Sequence, residues 1–435
     1  MQKDDGVARM TAAAEQNGAR HNMKPRFERI AMTSVFGDPL NPATWSGAPK
    51  NLADALGRIG FSVTGLHARH GSAGKANIAL RNFVAGHGQP ISGEQLLRSE
   101  LSRRRLATQV AQAVRDLGIR HVLHTGTFDL PAVDLAGGTR HYLYCDHSWS
   151  LAQAHHVEAR RYSRKALEAY ERAEHLSLAG LEHIFTFGAY VRDNLISHYG
   201  VPPDRVTAVG SGKGQIQPYF EPKDYNRPAL LFVAKHYFQA KGGGLLVEAF
   251  QRARRTRPDL TLDIVGDAAS RRHVPPIPGI RFHARLPWTM LQQLFRDATL
   301  LVQPMLNDPW GQVYLEALAS RTPVLGLRRH GLPEITADGR YGFLVEQPDA
   351  GLLSAAILDA LGDPDRLARM AAQGQRHVLD TYSWDVVAKK IASRWDDGPA
   401  ATRHTPHLEA ATNRGGNISA EVTLGAEQSK GAMYV

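Results

Sequence analysis

Residues 230–266 show the order of elements from which the fold class can be predicted; their sequence is LLFVAKHYFQAKGGGLLVEAFQRARRTRPDLTLDIVG. It begins with an apolar run of strand length, 230–234, and ends with a second one, 260–265, that leads into Gly266. Between the two runs, four apolar residues recur at the spacing of one helix face: Leu246, Ala249, Phe250 and Ala253. A strand, a helix and a further strand in this order predict a parallel sheet covered by helices.

The same alternation is found in the rest of the chain. Further strand-length apolar runs lie at 29–36, 61–66, 121–124, 142–145, 183–187, 300–303, 324–327 and 343–345. Helical patterns lie at 52–59, 100–117, 158–176, 288–296, 312–320 and 350–361. A connector near 212–228 separates two similar halves. We therefore expect an α/β chain of two Rossmann-like, doubly wound domains, 25–215 and 216–382, that face each other across a cleft.

Composition places the chain among ordinary globular proteins. It has 435 residues, of which 43% are apolar and 22% charged. Its single cysteine, Cys145, excludes an intrachain disulfide, fits a reducing compartment and is expected to fill the core of a strand. No run approaches 18 apolar residues, and the first residues lack the pattern of a secretory signal. These features predict a cytoplasmic protein.

Charge and the two ends add further expectations. The 52 basic and 42 acidic residues give a net charge of +10, which favours anionic partners such as phosphorylated ligands or the lipid headgroups of the inner membrane face. No basic run is interleaved with aromatic residues and no zinc-finger spacing occurs, so a nucleic acid partner is not expected. Residues 1–24 and 398–435 have few large apolar side chains and are predicted to be mobile tails.

The densest cluster of polar residues is NDPWGQVYLEA, 307–317, which follows the predicted strand 300–303. Asp308 precedes Gly311, which opens a helix whose free N–H groups and positive end would suit a phosphate. Glu316 lies about a turn and a half inside that helix. In the alternative interpretation, Asp308 only caps the helix and Glu316 pairs with a nearby cation.

Two further clusters follow predicted strands. Lys235 and Lys241 flank a loop that leads to three glycines, where two ammonium groups and a closely approaching backbone would suit a diphosphate. Solvated lysines beside a flexible turn are the alternative. HGLPEI, 330–335, could offer backbone donors and a carboxylate. Each cluster is a weak signal alone, but their order and spacing together indicate a binding site for a phosphorylated ligand.

Other common sites are not indicated. The only Asp-x-Asp pattern near a helix end, Asp363-Pro364-Asp365, is predicted to be a turn, so no metal site is expected. No G-x-G-x-x-G follows the first strand of either domain, which argues against a dinucleotide-dependent oxidoreductase.

The second half resembles the carboxyl-terminal domain of retaining GT-B glycosyltransferases of family 4, the group 1 class. The resemblance covers most of 228–395 and is carried by FVAKHYFQAKGGGLLVEAF (232–250), LDIVGD (262–267), PMLNDPWGQVYLEALA (304–319), PVLGL (323–327) and GLPEI (331–335). The first half matches more loosely, at 44–63 and 185–212. The resemblance implies that 25–215 is the acceptor side, that 216–382 is the nucleotide-sugar donor side, and that 383–397 is a helix crossing back to the first domain.

Residue roles follow from this resemblance. Asp308 and Glu316 keep the acid-x7-acid spacing, and Lys235 and Lys241 keep that of the paired basic residues. The resemblance implies that the two lysines neutralise the donor diphosphate, that Glu316 accepts hydrogen bonds from the ribose, and that Asp308 and His147 face the donor sugar. The remaining donor-binding residues that it implies are Gly311, Gln312, Val313, Gly331, Glu334, Ser46 and Gly47.

The implied activity is the metal-independent, same-face transfer of a sugar from a UDP or GDP sugar, without a further cofactor, to a glycan, lipid-linked or small-molecule acceptor. The sequence departs from the family pattern at Asp308, where Glu is usual, at Lys235, where Arg is commoner, and at 44–47, where paired glycines are absent. A phosphorylase or nucleotide-sugar epimerase on the same fold, and a non-catalytic nucleotide-sugar-binding protein, remain alternatives.

Overall fold

The computed structural model describes residues 28–85, 93–130, 138–155, 162–234 and 236–395. The predicted tails, 1–24 and 398–435, and Lys235 lie outside these ranges. Within the described ranges, none of the helices combines the length and the apolar composition that a membrane-spanning segment requires.

The first domain is built on a parallel sheet of six strands. The strands are β1 (Arg29–Ser34), β2 (Ser62–His67), β3 (His121–His124), β4 (Arg140–Cys145), β5 (His183–Thr186) and β6 (Val206–Ala208). Its helices are α1 (Ala48–Arg58), α2 (Ser72–Ala85), α3 (Gly93–Arg98), α4 (Glu100–Leu117), α5 (Trp149–His155), α6 (Arg164–Ala179) and α7 (Ala189–Ser197). The strand order is β2-β1-β3-β4-β5-β6, so the winding direction reverses between β1 and β3.

The second domain repeats this plan. Its strands are β7 (Ala229–Ala234), β8 (Thr261–Gly266), β9 (Ile280–Ala284), β10 (Leu300–Val302), β11 (Val324–Leu327) and β12 (Gly342–Val345). Its helices are α8 (Gly243–Thr256), α9 (Trp288–Asp297), α10 (Gln312–Ala319), α11 (Leu332–Ile335), α12 (Ala350–Leu361), α13 (Pro364–Thr381) and α14 (Trp384–Ala392). The order β12-β11-β10-β7-β8-β9 reverses between β7 and β10, as in dinucleotide-binding folds.

The two parallel sheets confirm the predicted α/β class with two doubly wound, Rossmann-like domains. Strands β6 and β9 were not predicted, because β6 has only three residues and β9 (IRFHA) mixes charged and apolar side chains at the edge of its sheet. The turn predicted at Asp363 is a helix start, since its carboxylate accepts a hydrogen bond from the Arg366 amide at 2.8 Å and caps α13.

Helix α14 lies against the first domain. Asp385, at its start, pairs with Arg58 of α1 at 2.6 Å. Trp395, just after its end, packs edge-on against Phe61, with ring centroids 5.1 Å apart. The indole N–H of Trp384 donates to the carbonyl oxygen of Lys213, in the connector between the domains, at 2.8 Å. The chain therefore crosses between the domains twice, at adjacent places.

Candidate active site

A cavity of about 760 Å³ lies between the carboxyl ends of the two sheets. The loops after β1, β3 and β4 line it on one side, and the loops after β7, β8 and β10 on the other. Both reversals of winding direction therefore open into the same space, which is where open α/β sheets bind ligands. The predicted site residues that line this cavity are Ser46, His147, Lys241, Asp308, Gly311, Gln312, Val313 and Glu316.

Lys241 and Asp308 form an ion pair on the second-domain side of the cavity. The Lys241 Nζ donates to Asp308 Oδ2 at 2.8 Å, and the amide of Trp310 donates to Asp308 Oδ1 at 3.3 Å. Burial would raise the pKa of Asp308, but the charge and hydrogen bond of Lys241 outweigh it and hold that pKa below its usual value. Both side chains keep part of their surface exposed, 21% for Lys241 and 25% for Asp308, so a ligand in the cavity can reach them.

Backbone hydrogen bonds between two loops bring this pair together. The amide of Met305 donates to the carbonyl oxygen of Lys241 at 3.0 Å, and the amide of Asn307 donates to that of Ala240 at 2.9 Å. The loop after β7 is thus tied to the loop after β10 at the point where the sheet order reverses. Sequence spacing alone indicated both loops, but it did not indicate that the two charges would pair with each other.

The start of helix α10 points at the same part of the cavity. Gly311 precedes it with a φ of 78°, in the left-handed region that favours glycine, and no side chain caps the helix. The Tyr314 amide donates to the carbonyl oxygen of Gly311 at 2.9 Å, but the two amides before it have no acceptor within the helix. Gln312 and Val313 both line the cavity, and their amides are therefore suited to an anionic ligand at this wall.

Glu316 lies one turn further into α10 and is 8% exposed. Burial raises the pKa of its carboxyl to about 7, against the opposing charges of Lys213 and Lys241. The backbone of Gly214 passes so close to the Glu316 carboxylate that a side chain at position 214 would collide with it. The connector between the domains therefore closes the site behind this residue.

The first-domain wall contains a carboxyl group that the sequence reasoning missed. Asp146 lines the cavity beside His147, immediately after β4. Burial and the nearby charge of Asp308 raise the pKa of Asp146 to about 7. Asp146 lies between the predicted strand 142–145 and His147, and this position could have identified it from the sequence as a candidate site residue. Ser46 reaches the wall from a turn in which its own φ is 54° and that of Trp45 is 45°.

Gly331, Glu334 and Gly47 do not line the cavity, which corrects their expected placement. Glu334 turns toward the other domain, where its Oε2 accepts a hydrogen bond from the Ala189 amide at 2.6 Å. Gly331 lies behind the wall and donates its amide to the carbonyl oxygen of Pro309 at 3.2 Å. Gly47 is buried at the start of α1.

Two side chains at the second-domain rim were also missed. His236 and Asp267 both line the cavity, and His236 Nδ1 lies 3.4 Å from Asp267 Oδ2. His236 follows β7 and Asp267 follows β8. A search of the sequence for polar side chains just after predicted strands could therefore have found both. Among the described residues, no three His, Cys, Asp or Glu side chains group closely enough to hold a metal ion.

The part of the chain that matches a known protein family lies in the second domain. Residues 218–377 match the family model of the glycosyl transferases group 1. The D-inositol 3-phosphate glycosyltransferase of Corynebacterium kroppenstedtii is 27% identical over 253 residues, which cover 52% of this chain and 54% of that protein. The chain thus spans about half the length of this curated relative.

Solved structures of low sequence identity share the whole architecture. The sucrose-phosphate synthase of Thermosynechococcus elongatus superposes with a TM-score of 0.66 at 16% identity, over 85% of this chain and 98% of that one. HepE of Anabaena, in complex with UDP and glucose, gives a TM-score of 0.61 at 16% identity, over 85% of this chain and 99% of that one. The predicted GT-B fold is confirmed.

Proposed function

We propose, since residues 218–377 match the group 1 glycosyl transferases, that this chain moves a sugar from a nucleotide-diphosphate sugar to an acceptor hydroxyl. The observation that carries the proposal is the convergence of Lys241, Asp308, Glu316 and the start of α10 on one cavity between the two domains. A cation, free amides and a carboxylate are the groups that a diphosphate and a ribose need.

The donor is bound by the second domain. Lys241 neutralises the diphosphate together with the amides of Gln312 and Val313, and Lys235 adds a second cation. Glu316 accepts hydrogen bonds from the ribose hydroxyls, and Asp308 orients the donor sugar from its place beside Lys241. UDP-glucose is the first donor to test, because HepE, which shares the fold, has been solved with UDP and glucose.

The chemical step breaks the bond between the anomeric carbon and the diphosphate oxygen. Lys241 and the α10 amides stabilise the charge that develops on the departing diphosphate, and one such preorganised contact is typically worth on the order of 10²–10³ in rate. The acceptor oxygen forms its bond on the face that the diphosphate leaves, so the anomeric configuration is retained. The acceptor proton passes to a diphosphate oxygen, and no metal is assigned a part.

We assign the first-domain wall, with His147 and Asp146, to the acceptor and the sugar being transferred. We also propose a cytoplasmic location. The net charge of +10 would bring the protein to anionic headgroups of the inner membrane face if the acceptor is lipid-linked.

The proposal is tested by comparing Lys241→Met with Lys50→Met, a control on α1 where Lys50 pairs with Asp54. Titration calorimetry with UDP and GDP, and transfer assays with UDP-, GDP- and ADP-sugars, provide the readouts. We expect Lys241→Met to weaken nucleotide binding by roughly tenfold or more and to abolish transfer, because the diphosphate loses a charge-assisted contact. Lys50→Met should match the parent chain.

Two results would contradict the proposal. One is a parent chain that binds none of these nucleotides, and the other is a Lys241→Met variant that binds them normally. Donor turnover without an added acceptor would favour a phosphorylase or an epimerase, and binding without turnover would favour a non-catalytic protein. The anomeric configuration of the product, read by NMR, tests retention.

A further inference from the structure

The start of helix α7, in the first domain, lies against two segments of the second domain. The amide of Ala189 donates a hydrogen bond to Oε2 of Glu334 at 2.6 Å. Gly188 lies so close to Trp310 that a Cβ atom there would be 3.1 Å from the indole ring. We call residues 188–190 the α7 joint, because they connect the two domains beside the cavity that Trp310 lines.

Tyr190, the last residue of the α7 joint, contacts both walls of the cavity through its hydroxyl group. The hydroxyl donates to the carbonyl oxygen of Pro309 at 2.5 Å, and it lies 3.2 Å from the carbonyl oxygen of Asp146. Pro309 directly follows Asp308 in the second-domain wall. Asp146 directly precedes His147 in the first-domain wall. The phenol therefore bridges the two segments that carry Asp308 and His147.

The hydroxyl proton is what makes this bridge stable. Burial raises the pKa of Tyr190 well above its ordinary value, and the nearby charges of Asp146 and Asp308 add to the effect. The phenol therefore stays a donor at neutral pH. Without its proton, the two carbonyl oxygens, which carry like partial charges, would repel each other across the domain boundary. The two walls would then separate or admit a water molecule.

Tyr190 acts from behind the walls of the cavity. Asp146 and Pro309 are among the described residues that line it, whereas Tyr190 is not. The Pro309 carbonyl oxygen also accepts a hydrogen bond from the Gly331 amide at 3.2 Å, which fixes the second-domain loop within its own domain. Loss of the tyrosine hydroxyl would therefore change the spacing between the domains more than the shape of this loop.

We infer that Tyr190 is a positioning residue that sets the spacing between the two walls of the cavity. Its effect on catalysis rests on the proposed function, in which the second domain binds the donor and the first domain binds the acceptor. A misplacement of about 1 Å between reacting groups can lower a rate by roughly 10²-fold. Donor binding uses Lys241 and α10, which lie in one domain, so it should not depend on the α7 joint.

The first test removes the hydroxyl group alone, in Tyr190→Phe. Tyr225→Phe is the matched control, because the Tyr225 hydroxyl donates to the carbonyl oxygen of Arg321 at 2.8 Å within the second domain. We expect Tyr190→Phe to lower the kcat of sugar transfer by roughly tenfold or more while its UDP affinity stays unchanged. Tyr225→Phe loses a similar hydrogen bond and should keep the kcat of the parent chain. A purely structural role of Tyr190 would give the two variants the same kcat.

The second test measures the spacing between the domains without using activity. Spin labels are attached to Arg104→Cys on α4 and Glu248→Cys on α8, where the native side chains are 68% and 56% exposed. Cys145 is buried and is not expected to take up a label. Pulsed electron paramagnetic resonance then gives the distance distribution between the labels. We expect Tyr190→Phe, but not Tyr225→Phe, to lengthen or broaden this distribution.

Glu334 provides an independent check on the same joint. Glu334→Ala removes the acceptor of the Ala189 amide and should also lengthen or broaden the distance distribution. Glu334→Gln keeps an amide oxygen that can accept this hydrogen bond, and it should restore the distribution of the parent chain. Such a rescue would show that the hydrogen bond, and not the charge of the carboxylate, holds the α7 joint.

The outcomes separate this inference from the proposed function. If Tyr190→Phe keeps the distance distribution of the parent chain, or loses UDP affinity along with kcat, the inference is overturned and the proposed function stands. An altered distribution with an unchanged kcat overturns it as well, because the spacing would then not matter for transfer. If the parent chain binds no nucleotide and transfers no sugar, the proposed function fails, whereas the distance measurements still decide whether Tyr190 sets the spacing.

Discussion

At the scale of single residues, burial decides the chemistry of Glu316. Its carboxyl is expected to meet ribose hydroxyls, yet it lies almost entirely out of solvent, and its pKa is raised to about 7. Near neutral pH, Glu316 is therefore protonated, and a hydrogen-bond donor, in part of the molecules, and charged, and only an acceptor, in the rest. A nucleotide that donates hydrogen bonds to it would favour the charged form.

This raised pKa predicts how stability depends on pH. In the unfolded chain Glu316 loses its proton near pH 4.5, whereas in the folded protein it keeps the proton to about pH 7. The folded state thus binds more protons between these values, so the free energy of unfolding falls as pH rises through that window. The contribution of Glu316 is on the order of 3 kcal/mol. We expect Glu316→Gln to melt well above the parent chain at pH 8 and only slightly above it at pH 5.

Glu248→Gln is the matched control, because Glu248 lies on the exposed face of α8. Its melting temperature should follow that of the parent chain at both pH values. Thermal melts of the three proteins without ligand are sufficient. An unchanged gap between Glu316→Gln and the parent at pH 5 and pH 8 would show that Glu316 titrates near its ordinary value.

At the scale of elements, the turn that opens α10 depends on Gly311. Its φ of 78° is costly for any other residue, and a Cβ atom there would lie 2.8 Å from the ring of Tyr314 and 3.1 Å from Met305. Gly118, which ends α4 at a φ of 62°, has no atom within 4 Å of the place a Cβ would take. The two glycines therefore share the conformation but differ in the space around it.

Alanine substitutions at Gly118 and Gly311 are expected to destabilise the protein by different amounts. Gly118→Ala should cost only the left-handed strain, about 1–2 kcal/mol. Gly311→Ala should cost more, because Tyr314 must also move, and it should weaken UDP binding by displacing the α10 amides. Urea unfolding and UDP titration of both variants are the measurements. Equal destabilisation with intact UDP binding in Gly311→Ala would contradict this account of the turn.

Elements with a regular apolar pattern could be predicted from the sequence, including strand β11 and helices α4 and α12 with their observed bounds. Residues that line the cavity could be predicted where they lie in a loop after a strand or open a helix, as at Lys241 and Gly311. Glu334 was placed on the wrong side of its loop because its hydrogen bond to Ala189 crosses between domains. A contact between domains produces no regular spacing of apolar residues, so it cannot be predicted from such a pattern.

At the scale of the whole molecule, Trp384 is the first residue of α14 and attaches this helix to the connector between the domains. It is 9% exposed and donates to the carbonyl oxygen of Lys213, and a side chain at Gly212 would collide with its ring. One buried apolar cluster extends from β1 through this helix into the second domain, so the two sheets do not have wholly separate cores.

Loss of this side chain should loosen the coupling between the domains. We expect Trp384→Ala to destabilise the protein by about 3–5 kcal/mol, because it leaves a cavity and an unpaired carbonyl group. Trp288→Ala, which removes a tryptophan 47% exposed on α9, should change stability little. Melting temperatures and limited proteolysis of the connector near 212–228 are the measurements. A Trp384→Ala variant as stable and as protease-resistant as Trp288→Ala would refute this coupling.

The double crossing next to Trp384 also has a consequence for engineering. Since the chain leaves the first domain near Lys213 and re-enters it near Trp384, everything in between is one contiguous cassette with neighbouring ends. Truncation at either terminus cannot release the first domain intact, whereas excision of the cassette and a short splice could. Under the proposed function, the same two joints would allow the corresponding domain of a group 1 glycosyl transferase to be grafted in, giving chimeras with exchanged donor specificity.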